Sequence, residues 1–345
     1  MKFLIVGQGI AGTLLAWALR RSGASVLIAD GALPGNSSLV AAGVINPVTG
    51  KRFVKSWRFD EFFPVARSTY RSLEIALGIR IWMEQPIIRL LATPEEANDW
   101  SARCALPDYA SVLSNADDAG EWAGLVRPNF QFGVIHQAAR VDFFSLLTTF
   151  RKKNDDAGLF LAKNVTYKEA ERMSDNFDGV IFCEGWRGRD NPYFPRSPWQ
   201  VAKGEALMIR LDETRGAHIN HLLKKTVTLV PMGSSLFWAG GSYQWHFSDL
   251  SPSERERAFI QKNLDDMLAA PYTLIDHIAG VRPAVKDRRP LIGKSDAHPK
   301  MHIFNGFGSK GGSLAPFWAA HFAAHLLRGE PLDATVDIKR FSAAL

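Results

Sequence analysis

The chain has 345 residues, 46% hydrophobic and 22% charged, a composition that excludes collagenous, coiled-coil and disordered classes and buries a core without disulfide or metal staples. Its 41 basic and 35 acidic residues give a formal charge of +6, a mild bias toward anionic partners with no basic run that would define a nucleic-acid surface. Cys104 and Cys183, far apart in the chain, form neither a metal pair nor a disulfide framework.

Phe3-Leu4-Ile5-Val6 opens the chain as a continuous apolar run, suited to a strand covered on both faces. With no charged leader before it, and with the longest uncharged stretch (Gly311 to Leu327) only 17 residues long, the expectation is a cytoplasmic protein without a membrane span. Ile10, Leu14, Trp17 and Ala18 recur at helical spacing, Gly23 stops the helix, and Val26 to Ala29 forms a second buried strand. These elements make a β-α-β unit, whose right-handed crossover puts the two strands side by side and parallel. Downstream, Thr93-Pro94-Glu95-Glu96 and Ser251-Pro252-Ser253-Glu254 each read as cap, first-turn proline and reaching Glu. Asp142 caps a helix through Phe143, Leu146 and Phe150, and Gly179 to Cys183 and His302 to Phe304 are further buried strands. Thr226 to Val230 and Leu236 to Ala239 pair antiparallel about Met232 to Ser235. The fold class is therefore α/β: a Rossmann-like domain with an interleaved α+β domain on an antiparallel sheet. Residues 1–80, 140–200 and 275–345 are assigned to the first domain, and 81–139 and 201–274 to the second.

The chemistry begins at Gly7-Gln8-Gly9-Ile10-Ala11-Gly12, a complete G-x-G-x-x-G between a strand and a helix. Gly7 permits the tight turn, Gly9 lets a pyrophosphate approach the backbone, and Gly12 lets helix and strand pack closely. The helix N-terminus at Ile10 and Ala11 offers N–H groups to phosphates. Asp30, 18 residues after Gly12 at the end of the second strand, is placed to accept from ribose hydroxyls. Gly31 follows it, so no adjacent Arg is offered to a 2′-phosphate. Dinucleotide binding follows, with NAD and FAD both open.

Three further segments resemble the D-amino-acid oxidase and glycine oxidase family of FAD-dependent oxidoreductases. Ser37-Ser38 with Ala41 to Pro47 is similar to the family loop that passes the pyrophosphate and reaches the flavin. Gly280-Val281-Arg282-Pro283 with Asp287 and Pro290 to Gly293 resembles its late G-x-R-P segment. Asn305 to Gly311, with Ala315-Pro316, resembles its final glycine-rich turn and helix. Weaker matches are Arg140-Val141-Asp142, Lys203-Gly204-Glu205 and Asp178 to Gly185. The resemblance implies non-covalent FAD, held at Gly7, Gly9, Ile10, Ala11, Gly12, Asp30, Ser38, Ala42, Gly43, Val165, Gly185, Gly306, Gly308, Ser309, Lys310 and Gly311. It implies that Arg282, a fixed bidentate fork, holds a substrate carboxylate. Tyr243 is a substrate-wall candidate, and Lys310 is a candidate for charge near the flavin, although a lysine in a glycine loop is more often exposed. The family has Glu where Asp30 stands and small residues where Cys183-Glu184 stand. Gly306 to Gly312 lead into a helix whose positive end would favour reduced flavin.

Rival constellations are weaker. His321 and His325 have the spacing of a zinc pair, but no Glu and no third ligand accompany them; no metal is expected. Gly50-Lys51 fails as a P-loop, and there is no G-x-S-x-G elbow. Trp238 is assigned to sheet packing. The resemblance implies oxidation of the C–N bond of a small amino acid or N-substituted glycine-like amine, by hydride transfer to the flavin with oxygen as acceptor. Two alternatives stay open. The Asn305 to Gly311 turn also resembles the FAD domain of bifunctional tRNA wobble-uridine modification enzymes, so carboxymethyl removal from tRNA is possible but not favoured. A flavin-binding protein without turnover is the other. Substrate identity and oligomeric state are not readable.

Overall fold

The computed structural model describes residues 1–195 and 197–341. The opening run forms a strand at Lys2–Val6, followed by a helix at Ile10–Arg21 and a parallel strand at Ser25–Ala29. These strands sit within a six-stranded sheet, in the order Phe160–Leu161, Ser25–Ala29, Lys2–Val6, Gly179–Phe182, Met301–Asn305, Leu291–Lys294. Only the last strand runs antiparallel to its neighbour.

Both faces of this sheet are covered, as unbroken apolar strands require. On one face the helices Ile10–Arg21, Phe59–Leu77 and Gly311–Arg328 pack Leu14, Leu15, Phe62, Tyr70, Trp318 and Phe322 against Phe3, Ile5 and Ile181. On the other, Leu4, Val6, Val180 and Phe182 meet Ala170, Phe177 and Phe194. The expected cap at Asp142 is present: its carboxylate accepts from Ser145 N at 3.1 Å and starts the helix Phe143–Asp156.

The second layer is an eight-stranded sheet, in the order Tyr272–Arg282, Ala202–Leu211, Leu236–Gly240, Thr228–Gly233, Leu222–Lys224, Ile87–Leu91, Gln131–Ile135, Leu113–Ala116. The strand Tyr272–Arg282 pairs with Ala202–Leu211, with a bulge at Ile275, where the register steps from Met208–Asp276 to Ile209–Leu274. Side chains alternate cleanly. Leu207, Ile209, Phe237, Leu229 and Leu223 face the helix Glu254–Asp265, while Gly204, Ala206, Trp238, Gly240, Thr228 and Lys224 face a cavity toward the first sheet. The expected hairpin is present, with Thr228–Gly233 paired antiparallel to Leu236–Gly240.

One helix start differs from expectation. Thr93 caps Pro94–Cys104 as predicted, but the cap of the later helix is Ser253, not Ser251, and Pro252 lies outside it. Tertiary structure moves it. The buried Glu205 carboxylate accepts from Ser253 N at 2.8 Å and Ser253 Oγ at 3.0 Å, while Lys203 donates to the Ser251 carbonyl. Among the described residues, no helix is long and apolar enough to cross a membrane.

Candidate active site

A single elongated cavity runs between the two sheets, lined by the first β-α turn at one end and by the eight-stranded sheet at the other. Gly7 has φ +102°, a left-handed conformation that side-chain-bearing residues rarely adopt. A β-carbon at Gly12 would overlap the Gly7 carbonyl. Gly7, Gly9, Ile10 and Ala11 line the cavity, whereas Gly12 lies behind them as the contact that lets the helix close on the strand. Gly9 provides no side-chain cap, and Ile10 N donates to Ser38 Oγ at 3.1 Å. The helix N-terminus and the Ser38 hydroxyl therefore meet at one point of the cavity wall, an arrangement that could hold a phosphate.

Asp30 lines the cavity, but it has a second role that the sequence did not reveal. Its carboxylate accepts from Gln8 N at 2.6 Å and Ala32 N at 2.7 Å, and pairs with Arg151 at 2.8 Å. Three donors leave about one of its roughly four acceptor directions for a ribose hydroxyl. An arginine is thus present beside Asp30, contributed by the helix Phe143–Asp156 rather than by the adjacent sequence, and it is engaged with Asp30 and the Gln8 side chain.

Beyond Asp30, the cavity is walled by Asn164, Val165, Glu184, Gly185, Trp186 and Arg187. Cys183 packs against the tight turn, where its carbonyl approaches Gly7, and Glu184 turns into the cavity wall. Burial pushes the Glu184 carboxyl up to about 7, against hydrogen bonds from Asn191 and Tyr167 that lower it.

Ala42 and Gly43 line the middle of the cavity, opposite Gly308, Ser309, Lys310 and Gly311 at the start of the helix Gly311–Arg328. Gly306 lies outside, packed on Val285 and Leu291. Lys310 is not the exposed loop lysine that was expected. It is half-buried, donates to Ser56 Oγ at 3.2 Å, and has its pKa lowered by burial and by Arg289 and Arg288.

At the sheet end, Arg282 is enclosed and lines the cavity. Burial lowers its pKa, and among the described residues no carboxylate pairs with it. One Nη donates to the Ser242 carbonyl at 3.0 Å. The guanidinium fits because Gly204 is glycine: a β-carbon there would overlap it, and one at Gly241 would come within 3.0 Å. Tyr243 does not line the cavity; it is 46% exposed and lies over the Arg282 guanidinium at 4.7 Å. The loop carrying it is anchored from below by Glu205, which lies 3.1 Å from Lys203 and 2.9 Å from His277.

Three cavity features escaped the sequence reading. Trp238, assigned to packing, lines the cavity and donates to the Val40 carbonyl at 2.9 Å, tying the 36–46 loop to the sheet. Gly204, Ala206, Gly240, Gly241 and Gly280 form a side-chain-poor patch beside Arg282. Lys224, in a short strand without motif, faces the cavity with Thr228. His321 and His325 lie elsewhere: His321 Nε2 accepts from Asp333 N, and His325 Nδ1 lies 2.6 Å from the Glu330 carbonyl.

A bare turn, a helix N-terminus, a carboxylate with an acceptor direction left and a long cavity leading to an arginine that no described carboxylate pairs fit FAD and an anionic substrate together. The chain belongs to the DAO family of FAD dependent oxidoreductases, whose model matches residues 2–325, and it is an FAD-dependent oxidoreductase enzyme acting on amino acids or amines. It is 24% identical to D-proline dehydrogenase of Pyrobaculum islandicum, over 99% of both chains. It is 22% identical to glycine oxidase of Pseudomonas putida, over 96% of both. The crystal structure of glycine oxidase from Bacillus cereus superposes with a TM-score of 0.77 at 15% identity, covering 96% of each chain.

Proposed function

We propose that this enzyme oxidises the C–N bond of a small amino acid or N-substituted glycine-like amine, with Arg282 holding the carboxylate beside that bond and oxygen as the acceptor. The observation that carries this reading is Arg282: a guanidinium lining the cavity with room made by Gly204 and, among the described residues, no carboxylate of its own. A half-buried guanidinium with no paired carboxylate is best accounted for by an anionic ligand.

When bound, FAD supplies the two-electron acceptor that turns the amine into an imine, which water then hydrolyses. The chain's own residues bind and orient. Gly7, Gly9, Ile10, Ala11 and Ser38 would hold the pyrophosphate, and Asp30 the ribose. Val165 and Gly185 would hold the adenosine end. Ala42, Gly43, Gly308, Ser309, Lys310 and Gly311 would surround the ring, with Gly12 and Gly306 keeping the backbone close. Arg282 fixes the substrate in two dimensions through its fork, and the glycine patch beside it allows close approach. Tyr243 covers the guanidinium from outside.

The test is visible absorption of the purified protein before and after anaerobic addition of glycine, sarcosine and proline. Bleaching by one of them supports the reading and reports the preferred size. A flavin that stays oxidised with all three moves the substrate to a larger amine, tRNA included. A colourless protein that cannot be reconstituted with FAD overturns it.

A further inference from the structure

Lys224 is a further cation of the cavity, beside Arg282, Lys310, Arg187 and Lys163, and nothing in the proposed reaction uses it. It sits on the short strand Leu222–Lys224, whose register pairs it with Thr228; Thr228 in turn pairs with Gly240, and Gly240 with Ala206. All four lie on the face that lines the cavity. The ammonium is enclosed by protein while keeping surface against the cavity, and it donates to Thr228 Oγ1 at 3.0 Å. An ammonium has three donors. Among the described residues no carboxylate pairs with Lys224, and its strand neighbour in register is the buried cation Arg89. Burial and Arg89 push the Lys224 pKa down to about 8.

A half-buried lysine beside an arginine is destabilising unless something anionic arrives. Arg89 is engaged from elsewhere, its two Nη atoms donating to the Lys225 carbonyl at 2.6 Å and to Glu96 at 3.3 Å, while its Nε has no partner among the described residues. Among the described residues Lys224 has only the neutral Thr228 hydroxyl. We propose that Lys224 and Thr228 form a second anion-binding position in the substrate pocket, and that the natural substrate is an amine carrying two acidic groups. One carboxylate, beside the scissile C–N bond, goes to Arg282, and the other goes to Lys224.

The sheet sets the spacing. Arg282 and Lys224 lie on strands four steps apart, and the register row of Lys224 meets the Arg282 strand at Ile278 rather than at Arg282. The side chains close most of that span: the guanidinium lies against Gly204 and the ammonium against Thr228, two strands apart, about 10 Å, and two residues along the sheet, about 7 Å, a gap that a chain of several carbons spans. Trp238 stands between them as an apolar wall. The substrate class is therefore a dicarboxylic amine whose acidic groups are separated by an extended linker.

This inference rests on the Arg282 reading above, so its test is binding rather than turnover. The probes are succinate, glutarate and adipate, each against the monocarboxylate of equal length, titrated calorimetrically into FAD-loaded protein. Wild type binds at least one dicarboxylate about tenfold more tightly than its partner. Lys224→Met abolishes that preference and leaves monocarboxylate affinity within about twofold. Lys224→Arg retains it. At pH 8, dicarboxylate binding takes up roughly half a proton in wild type and none in Lys224→Met, because the anion restores the lysine's charge. The proposal is overturned by no preference in wild type, by a preference that survives Lys224→Met, or by FAD loss as the only effect of that variant. Failure of the broader reading shows differently, as a flavin that no amine or amino acid reduces.

Discussion

The two ends of the cavity are built on opposite principles. At the nucleotide end, recognition is made by backbone: one tight turn, one helix N-terminus and a carboxylate, contributed mainly by consecutive residues 7–12 and by Asp30. At the sheet end it is made by side chains from distant segments, with Arg282, Trp238 and Lys224 brought onto one face by strand register. A backbone site tolerates almost no side-chain variation at its glycines. A side-chain site can change its ligand by changing one residue. On the proposed reading, the first end would hold the cofactor shared across the family and the second would select the substrate.

The sharpest way to test the contrast is at the sheet end. Arg282→Ala should lower kcat/KM by about a thousandfold, or about 4 kcal/mol, with FAD content unchanged. Arg282→Lys should recover only about a tenth of the loss, because a point charge does not reproduce the fork. Steady-state kinetics beside the flavin absorbance measures both.

Gly12→Ala attacks the other end. Its β-carbon would overlap the Gly7 carbonyl, so the helix must move, with a loss of about 3 kcal/mol in stability and loss of bound FAD. Urea unfolding and the protein-to-flavin absorbance ratio read the two effects. Retention of full FAD content would break the distinction between the ends.

Glu184 offers a pH test. Its folded pKa of about 7 lies above the ordinary 4.5, so the folded form holds the proton more tightly than the unfolded chain. That contribution is fully present below about pH 4.5 and is lost as pH rises through about 7. Up to about 3 kcal/mol should disappear across this window. Glu184→Gln should flatten that part of the stability profile, measured by urea midpoints in the FAD-free protein. The smallest effect is expected from Tyr243→Ala, which removes the ring over Arg282 and should cost about 1 kcal/mol in substrate binding, seen as a rise in KM with little change in kcat.

Much of the fold was legible along the chain. The opening β-α-β unit, the Asp142 and Thr93 caps and the 228–240 hairpin follow from local pattern, because hydrogen bonding and capping act within a few residues. The cap at Ser253 was misplaced because the buried Glu205 decides it from 48 positions away. Trp238 was assigned to packing because an indole on a strand looks the same whether it faces a core or a cavity. Lys310 looked exposed because nothing in a glycine loop announces that Ser56 and two arginines surround it.

By itself, then, the sequence determined the nucleotide end. A G-x-G-x-x-G with a carboxylate at the next strand's end is a local device, complete within about one β-α-β unit. Tertiary structure alone decided that Arg151 joins Asp30, that Gly204 makes room for Arg282, and that Lys224 faces the same cavity as that arginine. The physical reason is strand pairing: register across an eight-stranded sheet sets which residues share a face, and no short stretch of chain encodes it.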